Sequence, residues 1–93
     1  MRVDKYLQLS RILKQRSTAK EVCAAGHVWR LQEPGGYVTL KPASEVHEGD
    51  RIKVQAYNRI LIVEIVEIPR TKNVSKQKAS SLYQIISEEV VEG

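Results

Sequence analysis

Phenylalanine is absent from this chain of 93 residues, and cysteine, methionine and tryptophan occur once each. The lone Cys23 excludes an internal disulfide. Without a CxxC partner it cannot begin a structural zinc site, and both facts fit a reducing, cytoplasmic setting. Long apolar runs are lacking too. The longest, Ile60 to Val63, falls far short of the roughly 20 residues a membrane helix requires, so no membrane partner is expected. Met1-Arg2-Val3 leads into no apolar stretch of the signal-peptide kind, so secretion is not expected either. His27 and His47 are too far apart for metal-ligand spacing. Gly35-Gly36 has no Lys-Ser or Lys-Thr partner of a phosphate loop. Glu64 and Glu67, an odd offset apart along a strand-like segment, face opposite ways and make no paired-carboxylate site. Cys23 lies on an apolar helical stripe and reads as a small core side chain rather than a nucleophile. No catalytic constellation remains, so the chain is expected to be non-enzymatic and to need no cofactor.

Acidic residues are missing where basic ones gather. Residues 1–20 hold Arg2, Lys5, Arg11, Lys14, Arg16 and Lys20 against the single acid Asp4. That segment carries +5, while the whole chain carries +4. A short stretch with this sign bias is suited to a polyanion, for which nucleic acid is the usual example. Asp4 is expected to cap a helix or to orient a neighbouring arginine such as Arg2.

Val3, Tyr6 and Leu7 share one helical face that Ser10 continues. Ser17 is placed to cap a second helix whose inner stripe is Ala19, Val22 and Cys23. Gly26 stands where a left-handed residue would end that helix. Residues 1–26 therefore read as two short helices joined by a basic turn. The period then changes. Val28 to Leu31 and Tyr37 to Leu40 read as strands with a loop at Glu33-Pro34-Gly35-Gly36. Residues 51–56 alternate, with Ile52, Val54 and Ala56 facing inward. Ile60 to Ile68 is apolar on both faces and is expected to be a central strand covered on both sides. A last helix is expected from Ser75, with Ala79, Leu82, Ile85, Ile86 and Glu89 on one face. Tyr6 and Tyr83 are assigned to the core. Trp29 and Tyr37, near Arg30 and Lys41, are open between two roles: core packing and stacking on unpaired bases.

The order and spacing of these pieces resemble a known family. Met1-Arg2-Val3-Asp4-Lys5-Tyr6-Leu7, Ser10 to Ser17, Ala19-Lys20-Glu21, Ala25-Gly26-His27-Val28, Lys41 to Val46 and Gly49-Asp50 look like the alpha-L RNA-binding motif. That motif is shared by ribosomal small-subunit protein four and several RNA-modifying enzymes. The match covers about residues 1–56, and the C-terminal half is similar to the RqcP family of small bacterial ribosome-associated quality-control proteins. The resemblance implies one domain over 1–93, with the motif core in 1–56 and a sheet extension and C-terminal helix in 57–93. Its fold would be α+β: two N-terminal helices packed on a small antiparallel sheet, with a C-terminal helix. It also implies binding to rRNA of the large ribosomal subunit and to peptidyl-tRNA, in support of an RqcH-type factor that adds alanine tails to stalled nascent chains. Arg2 and Arg16 would be the leading RNA contacts, followed by Lys5, Arg11, Lys14, Ser17 and Lys20, with Trp29, Arg30 and Lys41 as further candidates. The alternatives are a ribosome-recycling heat-shock-type RNA binder, an RNA-targeting accessory of an RNA-modifying enzyme, and a protein-interaction module. Where the family has a tight Val-Asn-Gly hairpin, this chain has the longer segment Arg30 to Tyr37.

Overall fold

A computed structural model describes residues 1–71 and 73–91. Its elements are α1 (Val3–Leu9), α2 (Arg16–Ala24), β1 (Val28–Leu31), β2 (Tyr37–Thr39), β3 (Arg51–Ala56), β4 (Arg59–Ile65), α3 (Lys76–Ser80) and β5 (Tyr83–Val90). The strands form one antiparallel sheet in the order β2-β1-β3-β4-β5. No described helix is long and apolar enough to cross a membrane.

The first helix is held at its start by a loop rather than by a side-chain cap. Free amides at a helix N-terminus need outside acceptors. The Val3 amide donates to the Ser44 carbonyl at 2.8 Å and the Asp4 amide to the Pro42 carbonyl at 3.3 Å. The Lys5 amide donates to Asp4 Oδ1 at 2.8 Å. Segment 41–46 thus seals α1, and the Val46 amide closes onto the Met1 carbonyl at 2.9 Å. The second helix ends as expected. Gly26 takes φ +81°, its amide donates to the Cys23 carbonyl and the His27 amide to Val22. This is a Schellman closure, in which a left-handed residue costs a glycine nothing.

The core lies between the helices and one face of the sheet. Val3, Tyr6, Leu7, Leu13, Ala19 and Cys23 meet Val28, Ile52, Val54, Val63 and Ile65, all buried. Each large aliphatic side chain buried here contributes roughly 2 kcal/mol. The Tyr6 hydroxyl reaches across and donates to the Leu82 carbonyl at 2.7 Å. Burial pushes its pKa up, with smaller contributions from Tyr83 and Glu67. Burial, aided by Asp4, also pushes the Cys23 thiol up to about 11, so it stays protonated and unreactive at neutral pH.

Three expectations change. Ser17 does not cap α2, because the helix already begins at Arg16 with Gln15 in the cap position. The helix expected from Ser75 is present, and the Ser75 hydroxyl caps it by accepting from the Lys78 amide at 3.1 Å. It ends at Ser80, however, and residues 83–90 form a strand on β4. The spacing of Leu82, Ile85, Ile86 and Glu89 fits a helix, but β-branched residues are also at home beside an unpaired strand edge. Ile85 and Ile86 are exposed in consequence. Finally, β4 is internal to the sheet but covered on one side only. Val63 and Ile65 are buried, whereas Ile60 and Ile62 are half-buried on a face where no residue is buried.

A basic helix-turn-helix face built on Asp4

Asp4 organises the site. Its side chain is 1% exposed, yet it meets two arginines fourteen positions apart in the chain. Arg2 Nε donates to Oδ1 at 3.1 Å and Arg2 Nη2 to Oδ2 at 3.0 Å, a forked pair. Arg16 Nη2 lies 3.9 Å from Oδ1. Forked pairing of this kind fixes the plane of a guanidinium as well as its position. Both arginines remain about half exposed, so each keeps donors free for a second, outside anion. One carboxylate shared by two guanidiniums leaves the cluster net positive.

The start of α2 adds a second feature. Among the described residues, the amides of Arg16, Ser17 and Thr18 donate to no protein acceptor, and the first bond runs from Ala19 to the Gln15 carbonyl at 3.0 Å. Three free amides and the positive end of the helix dipole favour an anion there. Lys20 stands one turn after Arg16 and is exposed, as are Lys14 and Ser17. Ser17, which does not cap the helix, is exposed in the same turn.

Arg11 occupies a position where glycine is usual. It follows the end of α1 with φ 61°, and its amide donates to the Gln8 carbonyl at 3.0 Å. A left-handed conformation costs a non-glycine residue about 1 kcal/mol or more. The exposed guanidinium is held out from the turn in spite of that cost. Lys5 is half-buried on α1.

The remaining candidates divide. Lys41 is exposed at the foot of the segment that seals α1, and its amide donates to the Ser44 hydroxyl at 2.8 Å. Arg30 points to the core side of the sheet. It donates to the Glu45 carbonyl and sits 3.5 Å from Asp50. Its Nη2 serves the fold, while its Nε is buried without a hydrogen bond among the described residues. Trp29 is on the opposite face of the sheet from α1 and α2, half-buried and outside the core. The sequence suggested that Asp4 orients Arg2; that it also holds Arg16 emerges only from the packing of α1 against α2. The sequence signal for Asp4 was its isolation, one acid among six basic residues. No group of three or more His, Cys, Asp or Glu side chains able to hold a metal occurs among the described residues.

The fold defines a class, that of the alpha-L motif domains. A solved structure of heat shock protein 15 from Vibrio cholerae superposes with a TM-score of 0.75 at 24% identity, covering 94% of this chain and 82% of that one. Comparison with models of protein families finds no match. Curated relatives are closer in sequence. A protein of Streptococcus pneumoniae named RQC P-site tRNA stabilizing factor is 36% identical over 99% of this chain and 97% of its own length. Proteins of the same name from Halalkalibacterium halodurans and Bacillus subtilis are 37% and 35% identical, over 98% and 96% of this chain. The chain belongs to the family of RQC P-site tRNA stabilizing factors.

Proposed function

We propose that this chain is a non-catalytic RNA-binding factor of bacterial ribosome-associated quality control. It acts in the cytoplasm on the large ribosomal subunit and contacts rRNA and peptidyl-tRNA. There it supports an RqcH-type factor in adding alanine tails to stalled nascent chains. The observation that carries the reading is the Asp4 cluster. Arg2 and Arg16 are set side by side, half exposed, next to an α2 N-terminus whose amides are free. Arg2 and Arg16 act as forked donors to phosphates. Lys5, Arg11, Lys14, Ser17 and Lys20 complete the contact, with Lys41 at its margin. Phosphate contacts of this kind set position and affinity rather than base sequence. The names of the relatives, tRNA stabilizing factors, accord with binding rather than catalysis.

The test is co-sedimentation with purified large ribosomal subunits. Arg16 is half exposed and Arg2 keeps its forked pair with Asp4, so Arg16→Ala should keep the wild-type circular dichroism, lower the melting temperature only slightly and lose subunit association. A folded Arg16→Ala protein that co-sediments like wild type would remove the basic face from the function.

A further inference from the structure

The sheet face away from α1 and α2 carries a second cationic site of different chemistry. Antiparallel register makes Trp29 on β1 the partner of Lys53 on β3, and Leu31 the partner of Tyr37 on β2. The Lys53 ammonium lies 5.2 Å from the Trp29 ring centroid and 4.8 Å from that of Tyr37. His27 meets Trp29 edge-on, with centroids 6.4 Å apart and planes at 87°. Tyr37 is 56% exposed. Among the described residues, Lys53 forms no ion pair with a carboxylate.

We propose that Trp29 and Tyr37, with Lys53 between them, form a stacking platform for unpaired bases of RNA. The proposal rests on the reading of the chain as an RNA binder and adds a second contact surface to it. The charge decides the occupant. An apolar protein surface laid over these rings would strip water from the Lys53 ammonium without supplying an anion, which is costly. Single-stranded RNA supplies both parts at once: a base to lie against an aromatic ring and a phosphate to take the ammonium. Lys53 now lies over both rings, where a base would stack. Among the described residues no acid holds it there, and it can swing out to a phosphate when a base enters. The rings themselves stand on paired strands, so little order is lost on binding.

Trp29 is the only tryptophan of the chain, so its emission reports on the platform directly. The full chain is titrated with a short oligouridylate and with an abasic ribose-phosphate oligomer of the same length. The oligouridylate should quench Trp29 and bind tighter than the abasic strand, by roughly 5- to 150-fold if one base stacks. By anisotropy of labelled strands, Trp29→Leu should lose that preference and Trp29→Phe should keep most of it. Tyr37→Ala, at an exposed edge, gives the same comparison without touching the core. Equal binding and equal quenching by the two strands, or a folded Trp29→Leu protein that binds oligouridylate like wild type, overturns the platform and leaves the face to a protein partner. Wild-type chain that co-sediments with subunits yet ignores the bases would overturn the platform alone. Loss of co-sedimentation by the wild type would overturn the ribosomal reading and leave the base comparison standing.

Discussion

Arg16 and Arg30 each stand beside an aspartate, and the two regions use the pair in opposite ways. Arg30 lies on the core side of β1, its Nη2 donating to the Glu45 carbonyl and its Nε 3.5 Å from Asp50 without a hydrogen bond, and its side chain is 28% exposed. Arg16 is 49% exposed and shares its aspartate, Asp4, with Arg2. In the first region the acid balances the charge of an arginine tied to the Glu45 carbonyl. In the second it aims two arginines and satisfies neither fully. Arg30 is the more enclosed of the two, and Arg16 leaves more of its guanidinium open to solvent. Charge counting along the chain treats both arginines alike.

Salt should separate the two arginine regions most strongly. With four to six phosphate contacts, affinity for large subunits should fall by roughly 100- to 1,000-fold between about 50 and 200 mM salt. The melting temperature, which depends on the Arg30 region and the core, should move little over the same range. Affinity measured across that series checks both halves, and a flat binding curve would contradict the electrostatic face.

Substitution should also distinguish the two sites. Asp4→Ala removes a forked, charge-assisted pair and the acceptor of the Lys5 amide, so it should cost about 2–3 kcal/mol in urea unfolding. It should also weaken subunit binding at least about tenfold, since Arg2 and Arg16 lose their common anchor. Arg30→Ala should cost about 1–2 kcal/mol and leave the affinity of the folded protein near wild type. If Arg30→Ala lost binding at full stability, the division of roles would be reversed.

The smallest effect is expected at Arg11. Arg11→Gly relieves the left-handed conformation and should raise stability by about 0.5–1 kcal/mol. Loss of the guanidinium should weaken RNA binding a few-fold. A variant more stable and less able to bind would show that the turn keeps its arginine for the ligand. Loss of stability would show instead that the side chain supports the turn.

Much of the N-terminal region was legible in the sequence. The apolar spacing of Val3, Tyr6 and Leu7, the end of α2 at Gly26 and the alternation over residues 51–56 are local signals, and each reappears in the structure. The C-terminal region was less so. Ser75 marked the start of α3 correctly, because a cap is a local hydrogen bond. Where α3 stops was not local: residues 83–90 carry a pattern compatible with helix or strand, and the open edge of β4 settled it. The site follows the same rule. The basic residues could be listed from the chain, but Lys53 was not recognised as a partner of Trp29 and Tyr37, because strand register alone brings them together.

By itself the sequence determined an α+β chain with a basic start, a single inert cysteine and two short N-terminal helices. Hydrophobic period, glycine conformation and charge are properties of residues close in the chain. Only the tertiary structure decided that Arg2 and Arg16 share Asp4, that Arg30 is turned inward, that one sheet face stays open around Trp29, and that the chain finishes its sheet with β5. Each of those facts depends on which distant groups become neighbours, and that is set by how the core closes.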